Sequence, residues 1–286
     1  MANYSMSLSK NQLDLLLEMY NPYEVAHTHP HMILKAVVDD NVTLNFYKNG
    51  NLVLEGEFKD ELNRIKTRLG LTNFSAIGSD EVGTGDVFGP VVVCSCFVKA
   101  SDIEVLELMG VKDSKNMTDR QIIELAPQLT KMLTHSVLIL NPEKYNEMVR
   151  RGYNMNKLKA FLHNQAILLT TKKIEDKVPV IVDQFCEPRL YYNYLKNEPN
   201  IYRDISFYTK AESIHISVAA ASIIARYAFL AKMQNYSRFI GMKLKLGAGK
   251  MVDAQLIKIV STKGIENLRK ITKMNFRNLK KTNIIS

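Results

Sequence analysis

Gly78-Ser79-Asp80-Glu81-Val82-Gly83-Thr84-Gly85-Asp86, running directly into Val87-Phe88-Gly89-Pro90 and the apolar stretch Val91 to Val98, decides how this chain is read. Two adjacent carboxylates leave an apolar strand just ahead of three glycines. Neighbouring side chains on an extended chain point to opposite faces of a sheet. A site that uses both Asp80 and Glu81 is therefore expected at a strand end, after Ser79, where the backbone turns. Gly83 and Gly85 permit such a turn, including positive φ, and leave room for a bulky anionic backbone to approach, for which a phosphodiester is the natural candidate. The same residues would also suit a solvated β-turn ahead of a hairpin, so the rest of the chain must decide.

The chain has 286 residues, enough for two domains that each bury a core, and 46% of them are hydrophobic. Nothing in that composition suggests disorder. No stretch reaches the continuous apolar length of a membrane span, and Met1 to Asn11 lacks the basic and apolar regions of a signal peptide. A cytoplasmic protein with no membrane association is expected. Cys94, Cys96 and Cys186 cannot all pair, and Cys94 and Cys96 share one strand face, so they read as reduced core residues. No second Cys or His pair stands at a spacing that would complete a metal site with them.

The net charge of +9 is unevenly spread: Arg226 to Ser286 holds fourteen Lys/Arg against two Asp/Glu, whereas Met1 to Lys66 holds six against nine. A basic C-terminal segment of this kind is the usual footprint of a polyanion partner. Within it, Gly247-Ala248-Gly249-Lys250 is not a phosphate loop, because Leu244 replaces the leading glycine and Met251 the hydroxyl residue.

Taken in order, Leu8 to Met19 has helical spacing with a serine to cap it. His31 to Val38 and Val42 to Tyr47 read as strands, Asn49-Gly50 as a hairpin turn into Leu52 to Leu54, and Phe58 to Leu69 as a second helix. These make a small α+β domain over residues 1–69, followed by a linker at 70–73 and a larger domain at 74–286. His27-Thr28-His29-Pro30-His31 reads as a solvated loop. In the larger domain, strands are expected at Phe74 to Ser79, Pro90 to Lys99, Ser136 to Leu140, Pro179 to Val182 and Ile205 to Thr209. Helices are expected at Ile103 to Met109, Asp119 to Leu133 with Thr118 as cap, Leu158 to Ile174 and Ile214 to Met233. His163 lies in the third of these, where a structural role explains it at least as well as a functional one. The last has small residues on all sides in Val218-Ala219-Ala220-Ala221-Ser222-Ile223-Ile224-Ala225 and should be mostly buried.

Pro179 to Val182 ends at Asp183, the second strand-to-carboxylate exit, and Glu212 stands just before the Ala-rich helix. Singly, Asp183 could mark the surface and Glu212 could favour a helix N-terminus. Together with Asp80 and Glu81 they form an oxygen-only donor set suited to two hard divalent ions, Mg²⁺ or Mn²⁺, cleaving a phosphodiester. Four such charges gathered without compensation would repel one another, which argues against a purely structural role.

The opening motif, with Val111-Lys112-Asp113-Ser114-Lys115 and Ser217-Val218-Ala219-Ala220-Ala221-Ser222-Ile223-Ile224-Ala225-Arg226, resembles the prokaryotic type 2 ribonucleases H, specifically ribonuclease HIII, over roughly Ser75 to Lys281. The resemblance implies an α/β, RNase H-like fold with a mixed five-stranded sheet flanked by helices, and an N-terminal substrate-binding domain similar to the TATA-binding protein. It implies an Asp-Glu-Asp-Glu quartet at Asp80, Glu81, Asp183 and Glu212; glutamate in the fourth place points to the HIII rather than the HII branch. The implied activity is endonucleolytic cleavage of RNA in RNA–DNA hybrids by a monomer, leaving 5′-phosphate and 3′-hydroxyl ends. Substrate contacts are expected from Gly83, Thr84, Gly85, Ser114 and Lys115. In the N-terminal domain they are expected from a face bearing Asn45, Tyr47, Lys48 and Asn49. One departure stands near the end, where the family pattern would read Lys-His-Phe and this chain has Met274-Asn275-Phe276. The rival readings are HII-like cleavage at single embedded ribonucleotides and a hybrid-binding module without catalysis.

Overall fold

A computed structural model of the chain describes residues 3–38, 40–69, 74–111 and 116–285. They form two compact units, Met1–Phe74 with Tyr208–Lys210, and Ser75–Phe207 with Ala211–Ser286. The expected linker at 70–73 lies outside the described residues, as does Lys112-Asp113-Ser114-Lys115, so the anticipated roles of Ser114 and Lys115 have no structural counterpart here.

The first unit contains β1 (Asn3–Ser7), α1 (Lys10–Tyr20), β2 (Met32–Val38), β3 (Val42–Tyr47), β4 (Asn51–Gly56) and α2 (Lys59–Arg68). Its four strands form an antiparallel sheet in the order β1-β4-β3-β2. Alternation puts Tyr4, Met6, Leu34, Ala36, Leu44, Phe46, Leu52 and Leu54 into the core, with Leu16 and Tyr20 of α1 and Leu62 and Ile65 of α2. Tyr20 of α1 donates to Glu61 of α2, joining the two helices. Ser9 caps α1 in a reciprocal pair with Gln12, and Gly50 turns the β3–β4 hairpin at φ +82°. β1 was not expected, although Tyr4 and Met6 carry the period-two signal. Asn45 is corrected: it is buried at 5% exposure and cannot belong to an open binding face. Tyr47 is half-buried and packs edge-on against His29, while exposed Lys48 donates to the Pro30 carbonyl at 2.9 Å.

The second unit runs β5 (Ala76–Val82), β6 (Val91–Val98), α3 (Ile103–Leu108), α4 (Asp119–Met132), β7 (Thr134–Leu140), α5 (Pro142–Arg150), α6 (Met155–Thr171), β8 (Val180–Asp183), α7 (Pro188–Tyr194), β9 (Ile205–Tyr208), α8 (Ile216–Ile240), α9 (Lys250–Lys263), α10 (Ile265–Ile271) and α11 (Arg277–Lys281). The mixed sheet has the order β7-β6-β5-β8-β9. β5 pairs antiparallel with β6 and parallel with β8, which puts the carboxyl ends of β5 and β8 side by side. Helices cover both faces: Val92, Cys94 and Cys96 of β6 join the α8 core, and Val91 and Val93 pack with Leu158, Leu162 and Ala166 of α6. A strand buried on both faces reads as a continuous apolar run, as Val91 to Val98 does. α5 and α7 were not expected, although each has a proline at its first helical turn, a recognisable start.

Against the expectation that no stretch reaches the apolar length of a membrane span, α8 has a length and composition that would suffice to cross one, but it spends that apolarity on the core, with Val218 to Ala221 and Ile223 to Ala225 buried. Its close seat on β5 depends on Gly78. A Cβ there would stand 2.2 Å from the Val218 nitrogen and 2.3 Å from the Ser217 carbonyl carbon, both backbone atoms that cannot swing aside. Gly78→Ala should therefore push α8 off the strand and cost about 3 kcal/mol, the upper range of overpacking in a close-packed core. The check is thermal or urea unfolding; an unchanged midpoint would show that the helix seat is adjustable.

Candidate active site

The strand carrying the two carboxylates continues further than expected. β5 includes Asp80 and Glu81 and ends at Val82, so the chain does not turn between the two acids. They leave on opposite faces. Ile77, Ser79 and Glu81 face α6, whereas Gly78, Asp80 and Val82 face α8. The turn comes after Val82: Gly83 adopts φ +88°, and a side chain there would collide with the Pro90 carbonyl oxygen at 2.2 Å. Gly85 has ordinary φ, and nothing within 4 Å would meet an added Cβ, so it presents bare backbone in open space. Thr84 is half-buried between them.

On the α8 face, Asp80 accepts a hydrogen bond from the Glu81 backbone nitrogen at 2.7 Å and another from Ser222 of α8. The register Ser79 opposite Val182 brings Asp183 to the same level on the neighbouring parallel strand. Asp183 Oδ1 accepts from the Ala211 nitrogen at 2.8 Å, which ties the end of β8 to the short 3₁₀ turn Ala211–Ser213. That turn carries Glu212, buried at 9% exposure, and the chain enters it through Lys210 in the left-handed region at φ +58°. Burial first, then the charges of Glu81 and Asp183, raise the Asp80 carboxyl to about 8.

On the α6 face, both oxygens of Glu81 are held. Lys159 Nζ donates to Oε1 at 2.8 Å and His163 Nε2 lies 2.8 Å from Oε2. An ionised carboxylate only accepts, so Nε2 carries the proton of that bond. His163 Nδ1 meets Ser79 Oγ at 2.8 Å, and Phe185, two residues past Asp183, stacks on the imidazole and covers the Lys159 ammonium at 4.1 Å from its ring centre. Burial would raise the Glu81 carboxyl, but His163 and Lys159 outweigh it and hold it well below the usual carboxylate range. Lys159 was missed in the sequence and His163 left undecided; their i, i+4 spacing on an otherwise apolar helix face was the available signal.

The structure thus places Asp80 beside Asp183, puts Glu212 on the turn bonded to Asp183, and turns Glu81 towards α6. Among the described residues, no three His, Cys, Asp or Glu side chains are already gathered so as to hold a metal ion. The donor chemistry nevertheless fits a hard divalent cation: all four candidates are carboxylates, and burial together with the charges of Glu81 and Asp183 raises Asp80.

The loop after the glycines is fixed from the C-terminal segment. The Lys273 ammonium, fully buried, donates to the carbonyls of Asp86 and Gly89 at 2.7 Å each, and its backbone nitrogen donates to the Val87 carbonyl at 2.9 Å. Burial draws this ammonium down to about 7, with Asp86 opposing. Next to it, the departure from Lys-His-Phe is accommodated: Asn275 accepts from the Tyr145 hydroxyl at 3.0 Å, and the Met274 nitrogen donates to Asn146 at 2.8 Å.

A carboxyl raised from 3.8 to about 8 on folding binds its proton more tightly in the folded protein. The folded state therefore loses stability as pH rises from roughly 4 through roughly 8. Asp80→Asn removes that loss, so in metal-free buffer its melting temperature should match wild type near the lower bound and exceed it by several degrees near the upper. A difference that stays constant across the series would show that Asp80 does not feel its neighbours.

Comparison with known proteins bears on the family and the fold. The family model described as Ribonuclease HII matches residues 77–279. Ribonuclease HIII of Phytoplasma mali is 46% identical over 286 residues, covering 98% of both chains, and ribonuclease HIII of Bacillus subtilis is 46% identical over 213 residues, covering 74% of this chain and 68% of its own. The crystal structure of Bst-RNase HIII in complex with Mn²⁺ superposes with a TM-score of 0.74 at 33% identity, over 99% of this chain and 98% of that one. Ribonuclease H2 from Pyrococcus horikoshii shares the fold at TM-score 0.59 and 24% identity, over 74% of this chain and 98% of its own. A strand pair that delivers Asp80 and Asp183 together, inside a chain with these likenesses, belongs to the ribonuclease HII family, among its ribonuclease HIII members.

Proposed function

We propose that this ribonuclease H hydrolyses the RNA strand of RNA–DNA hybrids at the carboxyl ends of β5 and β8, using two divalent ions, Mg²⁺ or Mn²⁺, and leaving 5′-phosphate and 3′-hydroxyl ends. The observation that carries this reading is the parallel register that sets Asp80 and Asp183 level on adjacent strands. Asp80, Glu81, Asp183 and Glu212 would hold the ions; Lys159 and His163 fix the Glu81 carboxylate on its side of the strand. When bound, such ions supply Lewis-acid polarisation of the phosphodiester and a more acidic attacking water. The glycine turn, held by Lys273, would offer the backbone of Thr84 and Gly85 to the substrate; Gly83, expected as a contact, is buried and serves the turn itself. Threonine lacks the forked donors of arginine, so this turn would read successive 2′-hydroxyls through main-chain groups, which favours runs of ribonucleotides over a lone one. The N-terminal unit, similar in our reading to the TATA-binding protein, would add affinity through surface residues such as Tyr47 and Lys48. We place the protein in the cytoplasm as a monomer.

Asp183→Asn keeps the shape of the side chain and removes its charge. Cleavage of a continuous hybrid in Mg²⁺ or Mn²⁺ should fall by more than about a hundredfold, beyond what loss of an outer-shell partner causes, while hybrid binding in gel shift persists. Near-normal turnover would remove Asp183 from the site. In the same assay, wild type should cut a duplex with a single ribonucleotide poorly; equal kcat/KM on the two substrates would favour the HII-like reading, and binding without cleavage of either would favour the non-catalytic one.

A further inference from the structure

Gly247-Ala248-Gly249-Lys250, which does not fit a phosphate loop, has a different use in the structure. Gly247 lies in the left-handed region at φ +80° and gives both of its backbone groups to the segment that leaves the glycine turn. Its nitrogen donates to Asp86 Oδ1 at 2.6 Å, and its carbonyl accepts from the Val87 nitrogen at 3.0 Å. Asp86 is also where the turn closes, because its own nitrogen donates to the Gly83 carbonyl at 3.4 Å. The Asp86 carboxylate therefore ties the turn to a residue 161 positions further along the chain.

A loop can hold another only if it is itself held. Asn278 of α11, which is buried, donates to the Ala248 carbonyl at 2.9 Å, and the same amide donates to Asp253 of α9. Nearer the end of α8, the Gln255 side chain of α9 accepts from the Lys245 nitrogen at 2.8 Å and donates to the Lys243 carbonyl at 2.7 Å. The connection between α8 and α9 is thus fastened on both sides of Gly247. Gly85 is exposed, and nothing stands within 4 Å of where its Cβ would be, so packing does not fix the turn at that point. Lys273 fastens the carbonyls of Asp86 and Gly89, while the Asp86 carboxylate is the side chain that reaches from the turn to the α8–α9 connection. Hydrogen bonds to an ionised carboxylate are about twice as strong as neutral ones.

We propose that Asp86, through Gly247, is a specificity-determining positioning residue: it fixes the spacing at which Thr84 and Gly85 meet the sugars, and so makes cleavage depend on consecutive ribonucleotides. The proposal rests on the reading of this turn as the part that senses 2′-hydroxyls. A fixed row of main-chain groups is left unpaired when a 2′-hydroxyl is missing, and such a site rejects the analogue that lacks the partner. A turn free to move would follow a deoxyribose as readily as a ribose.

The test compares full-length wild type with Asp86→Ala, Asp86→Asn and Gly247→Ala. The substrates are a continuous hybrid and hybrids in which one ribose on either side of the cut is replaced by deoxyribose. Asp86→Ala should raise KM on the continuous hybrid about tenfold, the fold-change of one lost charge-assisted hydrogen bond, with saturated kcat retained. Wild type should lose as much on one of the deoxyribose hybrids, and Asp86→Ala should lose nothing further there. Asp86→Asn keeps the accepting oxygen and should recover most of both effects. Gly247→Ala acts from the other partner: its methyl meets nothing within 4 Å, but a residue with a Cβ is strained at φ +80°. It should move both readouts in the same direction, which keeps the test decisive if Asp86→Ala does not fold. An unchanged KM, equal losses on every hybrid, or a deoxyribose penalty as large as that of wild type would overturn the proposal and leave the Asp86–Gly247 bond as a plain support of the loop. Failure of the wider reading looks different, because wild type itself would then cut the deoxyribose hybrids as well as the continuous one.

Discussion

Two neighbouring carboxylates on one extended strand cannot face the same way, and the site is built around that constraint. Asp80 and Glu81 sit at the open end of β5 and leave on opposite faces. Each face supplies a different environment. Towards α8, burial and the neighbouring carboxylates raise the proton affinity of Asp80, against the opposing hydrogen bond from the Ser222 hydroxyl. Towards α6, Glu81 meets a lysine and a histidine, and its proton affinity falls. One strand end therefore presents two chemically distinct acids, and helices on both sides of the sheet are needed to make the distinction.

That requirement accounts for several residues whose roles are otherwise unconnected. Gly78 exists as space: without a Cβ it lets the α8 backbone lie on the strand, so that Ser222 reaches Asp80. Ser79 turns the other way and anchors His163, whose second nitrogen holds Glu81. Phe185 covers the Lys159–His163 pair from the loop that follows Asp183, so the end of β8 supports both faces at once. Burying a lysine–glutamate pair carries a desolvation cost that good geometry must offset, and here each Glu81 oxygen has a partner at 2.8 Å.

The C-terminal segment contributes structure as well as charge. Lys273 spends its ammonium on two carbonyls of the loop that continues the glycine turn, and the Phe88–Thr272 bridge and the Gly89–Ile271 hydrogen bond stitch the same loop from the backbone. A bare glycine turn would be too free to present a defined row of main-chain groups. Clamping it from a distant part of the chain keeps Gly85 open while removing that freedom.

Period and punctuation in the sequence alone were enough to identify the apolar strand Val91 to Val98, the buried Ala-rich helix and the strand that ends on Asp183. These are local signals: a doubly buried strand must be continuously apolar, and a helix packed on all sides must be small or apolar throughout. The motif residues also carried the family likeness. Only the tertiary structure decided where β5 ends, which face each acid takes, and which partners meet it. Lys159, His163, Lys273 and Arg226 are 78, 82, 187 and 107 positions from the Glu81, Asp86 and Asp119 atoms they bond. No local pattern encodes such pairings, because they follow from strand order, register and helix seating. For the same reason Asn45, polar in a strand that looked exposed, proved to be buried: which face of a sheet is covered is set by the helices that land on it.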